Sequence, residues 1–418
     1  MKTLRIFIVA TLLAVSPVKL SAFQEKPVVV RTGIELLSDS KFEILKNKKI
    51  GLITNPTGVD HNLRSTIDII YKASGLKLVA LFSPEHGIRG DFGAGDQVTS
   101  STDMITGLPV YSLYGKTRKA TPEMLKGIDV LVYDIQDIGS RSYTFISTLG
   151  LAMEAAAENN IEFVVLDRPN PLGGVRMEGP VTLPEFTSFV SQFQKPYIHG
   201  LTVGELATFL NEEGMLKNRV KCKLTVIKMK GWKRDMLFSE TGLTWVPSSP
   251  HIPEGESVLF YPATGILGEL YVMSIGVGYT IPFQLVAAPW LNADSLSDNL
   301  NKLILPGIIF RPVHYKPYYS VSQGEEVHGV QIHLTDPKQA PLSLIQFYIL
   351  QEAHKLRPDK NVFELCEKSR LNMFDKVCGT DNVRITFSKT FTVESIMDLW
   401  MRDIPAFRKR AEKYFLYN

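Results

Sequence analysis

Two hydrophobic rhythms alternate along the first half of the chain. Unbroken apolar runs at Ile50–Thr54, Leu76–Phe82, Val130–Ile135, Phe163–Leu166 and Leu224–Ile227 have the length of strands, and their lack of polar alternation implies cover on both faces. Between them lie helical spacings. Phe145, Leu149, Ala152, Met153 and Ala156 recur on one face and predict a helix over 143–160. Thr202 and Glu205 make a capping box that opens a helix running toward Leu210, and Thr121-Pro122-Glu123 reads as a further helix start. Strand and helix in alternation predict a mostly parallel sheet clothed on both sides, a Rossmann-like α/β domain.

The rhythm breaks at Trp245–Pro253, where three prolines fall within seven residues. Beyond it the pattern is mixed. Apolar segments lie near Leu259, Val272 and Ile308, helical spacing runs over 342–354 and 393–400, and the chain closes on the aromatic tail Tyr414-Phe415-Leu416-Tyr417. This predicts a Rossmann-like domain over 23–245 and a smaller α+β domain over 246–418. The first 22 residues read as a secretory signal. Lys2 and Arg5 precede an apolar run too short to cross a bilayer, Ala22 supplies the small residue at the cut, and export to the periplasm or medium is expected, with no membrane anchor after cleavage.

Charge changes the picture only by exclusion. The chain has 46 basic and 43 acidic residues, and Lys2, Arg5 and Lys19 lie in the leader, so the remainder is formally neutral. No electrostatic reason to bind nucleic acid follows. Three cysteines are too few for a disulfide scaffold; Cys366 and Cys378 could pair once, or all three could remain thiols. The histidines are scattered, His328 and His333 being the nearest pair, and no metal or cofactor is expected. Gly90–Gly95 reverses the glycine order of a dinucleotide loop and does not follow the first strand.

In an open parallel sheet the ligand crevice lies beyond the carboxyl ends of the strands. Four of the five predicted strands are followed by loops rich in polar and ionisable groups: Asn55 with Thr57; Glu85, His86 and Arg89; Asp134, Asp137, Arg141 and Tyr143; Asp167, Arg168 and Asn170. Glu85, behind a proline at a strand lip, is placed to act as a general acid or to pair with Arg89 as a structural carboxylate. Asp134 and Asp137 supply a second carboxyl, as base, nucleophile, orienter or helix cap. Arg141 and Arg168 offer forks for a carboxylate, or partners for those aspartates. Glycines 265, 268, 276 and 278 around Glu269 permit close backbone approach to a ligand or a neighbouring domain, or else mark a plain hairpin with bulges.

Gly51–Gly58, Ser83–Asp91, Asp134–Thr144 and Leu166–Gly174, taken in order, resemble the loop motifs of the peptidoglycan exo-β-N-acetylmuramidase family. The resemblance implies a Rossmann-like domain joined to a smaller one, with the site in the cleft between them, and release of N-acetylmuramic acid from the non-reducing end of cell-wall glycan fragments. It makes Glu85 the catalytic acid, with Asp134, Asp137, Arg141 and Tyr143 on the family's next signature. In the second domain Glu269, Ser274, Gly276 and Gly278 match, whereas asparagine, glutamate and arginine of the pattern are replaced by Val272, Ile275 and Val277. A non-catalytic binder of cell-wall sugars and a nucleotide-dependent oxidoreductase are the alternative classes.

Overall fold

The computed structural model describes residues 29–90 and 101–418; the leader and most of the reversed glycine loop lie outside them. Strands β1 (Lys49–Thr54), β2 (Lys77–Ser83), β3 (Ser101–Thr102), β4 (Pro109–Ser112), β5 (Val130–Asp134), β6 (Glu162–Leu166) and β7 (Lys223–Ile227) form one sheet in the order β3-β4-β2-β1-β5-β6-β7. All neighbours run parallel except β3 and β4. The five runs predicted as strands are all present. The edge pair β3–β4 is too short to show a period.

Alternate residues of the central strands feed opposite cores. Ile50, Leu52, Val130, Val132, Val164 and Leu166 join Ile34 and Leu37 of α1 (Gly33–Asp39) and Ile67 and Ile70 of α2 (Thr66–Lys72). Ile53, Leu131, Tyr133, Phe163 and Val165 meet α3 (Phe145–Glu158) and α4 (Val203–Glu212) on the other face. The Thr202–Glu205 capping box opens α4 as its spacing predicts. Thr121 does cap, accepting from the Met124 amide, but Gly127 at φ 77° ends the segment as a turn rather than a helix.

Residues 247–253 carry no helix or strand. After them come α5 (Ser257–Gly268), β8 (Leu285–Ala288), α6 (Ala293–Lys302), β9 (Ile308–Tyr315), β10 (Val327–Leu334) and α7 (Ile345–Leu356). The chain then runs through α8 (Val362–Leu365), α9 (Lys368–Cys378), α10 (Asn382–Thr390), α11 (Glu394–Met401) and α12 (Ile404–Ala411). The three strands make a separate antiparallel sheet, β8-β10-β9. The result is a seven-stranded, mostly parallel domain and a smaller mixed one, as the pattern predicts. The aromatic tail returns to the first sheet: the Tyr417 hydroxyl donates to Asp167 Oδ2 at 2.6 Å, and Phe415 lies under the Arg234 guanidinium at 3.4 Å.

All three cysteines are buried free thiols. Helix α9 separates Cys366 from Cys378, and a helix of that length holds its ends roughly 15 Å apart, well beyond the span of a disulfide. Among the described residues no helix is long and apolar enough to cross a membrane.

Candidate active site

Glu85 stands just past the carboxyl end of β2, half-buried. His86 behind it adopts φ 73°, a left-handed backbone that costs a non-glycine residue of order 1 kcal/mol, and Gly87 follows at φ 80°. This tight reversal presents the Glu85 carboxyl to the start of α3, where the Thr144 hydroxyl donates to Glu85 Oε2 at 2.6 Å. The Tyr114 phenol, two residues beyond β4, lies within electrostatic reach of Glu85. Burial and then the neighbouring Glu85 charge push the Tyr114 phenol well up, so it remains a donor. The Thr144 hydroxyl therefore orients the carboxyl, with the Tyr114 phenol close by.

Tyr261 of α5 joins this mouth to the smaller domain. Its hydroxyl lies 3.1 Å from Ser142 Oγ, and its ring meets Tyr143 edge-on at 5.7 Å. Burial raises its pKa, with further contributions from Glu269, Glu85 and Asp137, so three carboxyls lie within electrostatic reach of one phenol. Tyr261 and Glu269 line a cavity of about 240 Å³ together with His251, Tyr271, Ile275 and Arg370. Burial raises the Glu269 carboxyl, and nearby Arg370 partly offsets it. Burial, and to a lesser degree His86, lowers His251, whose Nε2 lies 2.9 Å from the Tyr319 hydroxyl.

Other predicted residues have internal partners. Asp134 is buried, bonded by Arg168 Nε at 2.6 Å, Arg168 Nη2 at 2.9 Å and the Thr66 hydroxyl at 2.5 Å. Arg168 also reaches the Val59 carbonyl. Asp167 accepts from Thr202, Gly204 and Tyr417; burial lifts its pKa to about 6 despite these bonds. Arg141 is enclosed by backbone carbonyls, and Arg89 pairs with Asp103 at 2.9 Å. Asn55 and Asn170 brace their own turns through the amides of Thr57 and Leu172. A Cβ on Gly139 would lie 2.3 Å from Asn170 Oδ1, so these two loops are packed against each other. The Tyr143 hydroxyl donates to Ser248 Oγ at 2.8 Å, tying the β5 loop to the proline-rich crossing. Of the predicted set, Glu269 lines the cavity, Tyr143 meets its Tyr261 edge-on, and Glu85 and His86 lie within electrostatic reach of its Tyr261 and His251. The ion pairs and carbonyl contacts brace the mouth from behind.

Asp137 sits between these groups. Its Oδ2 accepts from the Gly139 amide at 2.8 Å and lies 3.8 Å from His199 Nε2, while Oδ1 is buried with no partner among the described residues. Lys195 nearby is fully buried, its ammonium equally unpartnered among them, and burial, aided by Arg141, lowers its pKa to about 7. Between pH 7 and 10.5 the unfolded chain then binds a proton that the folded chain lacks, so stability rises with pH across that window. Urea unfolding should show a gain approaching about 2 kcal/mol from pH 7 to pH 9 that Lys195→Met removes, at up to roughly 1.4 kcal/mol per pH unit. Equal pH slopes for the two proteins would mean that Lys195 keeps an ordinary pKa.

Sequence reading missed Tyr114, Tyr261, His251 and Arg370. Tyr114 follows an edge strand too short to recognise, and His251 was read only as part of a proline-rich break. Tyr261 and Arg370 reach the mouth through tertiary packing alone. Among the described residues no three His, Cys, Asp or Glu side chains are grouped to hold a metal ion. His328 faces His314 across β9–β10, Nδ1 to Nδ1 at 2.8 Å, rather than His333.

A half-buried carboxyl oriented by a hydroxyl, near an aromatic-walled cavity with its own carboxyl and guanidinium, is the equipment of a glycosidase. Residues 50–256 and 259–417 match the N-terminal and C-terminal family models of the exo-β-N-acetylmuramidase NamZ, and the chain belongs to that family. It is 44% identical over 414 residues to the peptidoglycan β-N-acetylmuramidase NamZ of Bacillus subtilis, covering 99% of this chain and 97% of that one. Two crystal structures of DUF1343 family proteins from Bacteroides fragilis share the fold. One has a TM-score of 0.90 at 58% identity, covering 94% of this chain and 100% of its own. The other has 0.75 at 28%, covering 93% and 99%.

Proposed function

We propose that the protein is an exo-β-N-acetylmuramidase that releases N-acetylmuramic acid from the non-reducing end of peptidoglycan fragments, with Glu85 as the acid that protonates the leaving oxygen. The observation that carries the assignment is the Glu85 carboxyl held by the Thr144 hydroxyl within electrostatic reach of Tyr261, which lines the cavity. Family membership and the Bacillus relative support the activity. Asp134 is saturated by Arg168 and Thr66, and Asp137 is enclosed beneath the loop, so neither presents a free carboxylate at the mouth. The 2-acetamido oxygen of the substrate then serves as nucleophile, closing an oxazolinium intermediate as the glycosidic bond breaks. Water activated by Glu85 opens it in the second step. The leader supports export, so the substrate would be met outside the cytoplasm.

Incubation of the purified protein with the disaccharide of N-acetylmuramic acid and N-acetylglucosamine should release free N-acetylmuramic acid, first as the β-anomer by proton NMR. Release of the α-anomer first would replace the acetamide by an activated water and return a protein carboxylate to the second role. Saturable binding without release would turn the reading to a sugar-binding protein.

A further inference from the structure

The proposed substrate carries a charge that the other amino sugar of the wall lacks: the lactyl carboxylate of muramic acid. The arginines on the strand loops have internal acceptors, as described above. Arg370 does not. It is the third residue of α9, half-buried, and lines the 240 Å³ cavity beside Glu269. Its guanidinium lies face-on over the Tyr271 ring at 3.6 Å. Among the described residues it makes no side-chain hydrogen bond and no ion pair, and it influences Glu269 only through its charge. Stacking fixes the plane of a guanidinium while leaving its N–H edge free for a bidentate acceptor. Tyr271 itself is half-exposed and takes φ 56°, a strained position for a β-substituted residue at the rim of a cavity. The same lining includes apolar Met273, Ile275 and Val277. The cavity is several times the roughly 30 Å³ that one water occupies. It therefore has room for a branched polar arm.

We infer that Arg370 is the specificity-determining residue that reads the free lactyl carboxylate of a muramyl sugar, with the lactyl methyl on Ile275 and Val277 and Glu269 accepting from sugar hydroxyls. The inference rests on the muramidase reading and deepens it. An N-acetylglucosaminide has no group for Arg370, and a peptide amide on the lactyl arm removes the charge that the fork recognises.

The test compares N-acetylmuramic acid, its lactyl N-methylamide and N-acetylglucosamine as ligands in calorimetry, and the 4-nitrophenyl β-glycosides of the first two as substrates. Wild type should prefer the acid over the amide by roughly 10–100-fold in Kd and KM, the worth of charge-assisted bonds. In Arg370→Met that ratio should fall to near 1 with thermal melting unchanged, and Arg370→Lys should restore only part of it. If wild type binds with this preference and releases no sugar, the hydrolase reading fails and the Arg370 assignment stands. If wild type hydrolyses both glycosides with equal KM, or Arg370→Met leaves the ratio intact, the Arg370 assignment fails and the hydrolase reading stands. Absence of both binding and hydrolysis overturns both.

Discussion

Glu85→Gln should lower kcat on the muramyl disaccharide by at least 10²–10⁴-fold, the usual worth of a positioned general acid, with melting temperature and circular dichroism unchanged. The isosteric amide keeps an oxygen to accept from the Thr144 hydroxyl, so the loop after β2 and the start of α3 lose little. It cannot give a proton to the leaving oxygen. The loss should therefore depend on the leaving group. A sugar leaving group needs protonation and should show the full defect. A 2,4-dinitrophenolate departs without help, so on that glycoside bond cleavage should approach the wild-type rate and shift the burden to the second step. A uniform loss across leaving groups would make Glu85 a nucleophile or an orienting group instead. Tyr114→Phe should give a smaller loss, because Thr144 still holds the carboxyl.

The layer structure was legible because buried parallel strands are written as unbroken apolar runs, and the five central strands read that way. The loops after the strands were legible for a related reason: a parallel sheet gathers its carboxyl ends on one edge, so polar residues following successive runs must approach one another. What the sequence did not reveal is which of those residues face outward. Arg141, Arg168 and Arg89 have the same chemistry as Arg370, and only packing decides that the first three meet carbonyls or carboxylates while the fourth lines a cavity. The Gly265–Thr280 stretch misled in another way. Its glycine density suggests a hairpin, yet Gly265 and Gly268 lie within α5, and Gly276 and Gly278 take positive φ in the irregular segment that shapes the cavity wall. Tyr261 belongs to an apolar segment that the sequence placed near Leu259 without assigning its period.

Arg141→Met should cost at least about 4 kcal/mol of stability, a large part of the 5–15 kcal/mol that folds a typical domain. The side chain is fully buried and has no carboxylate partner among the described residues. Its Nη1 donates to the carbonyls of Pro180 and Lys195 at 2.6 Å each, its Nη2 to those of Val377 and Cys378 at 2.9 and 2.7 Å, and its Nε to Ser191 Oγ at 3.1 Å. Val377 and Cys378 end α9, so the guanidinium satisfies carbonyls that a helix terminus leaves open and sits at the negative end of its dipole. Burial lowers its pKa only to about 10, so the cation persists at neutral pH. Methionine leaves four buried carbonyls without donors, each worth about 1–3 kcal/mol. Lysine keeps the charge, but a single ammonium cannot reach acceptors spread around a planar fork, so Arg141→Lys should recover less than half of the loss. Urea unfolding decides the matter: an arginine that bound substrate would raise KM and leave the unfolding midpoint in place. Because α9 carries Arg370 in its first turn and is gripped by Arg141 at its last, any rise in KM in the lysine variant should track the fall in stability. That coupling makes Arg141 a positioning residue for the cavity, acting through the helix it anchors.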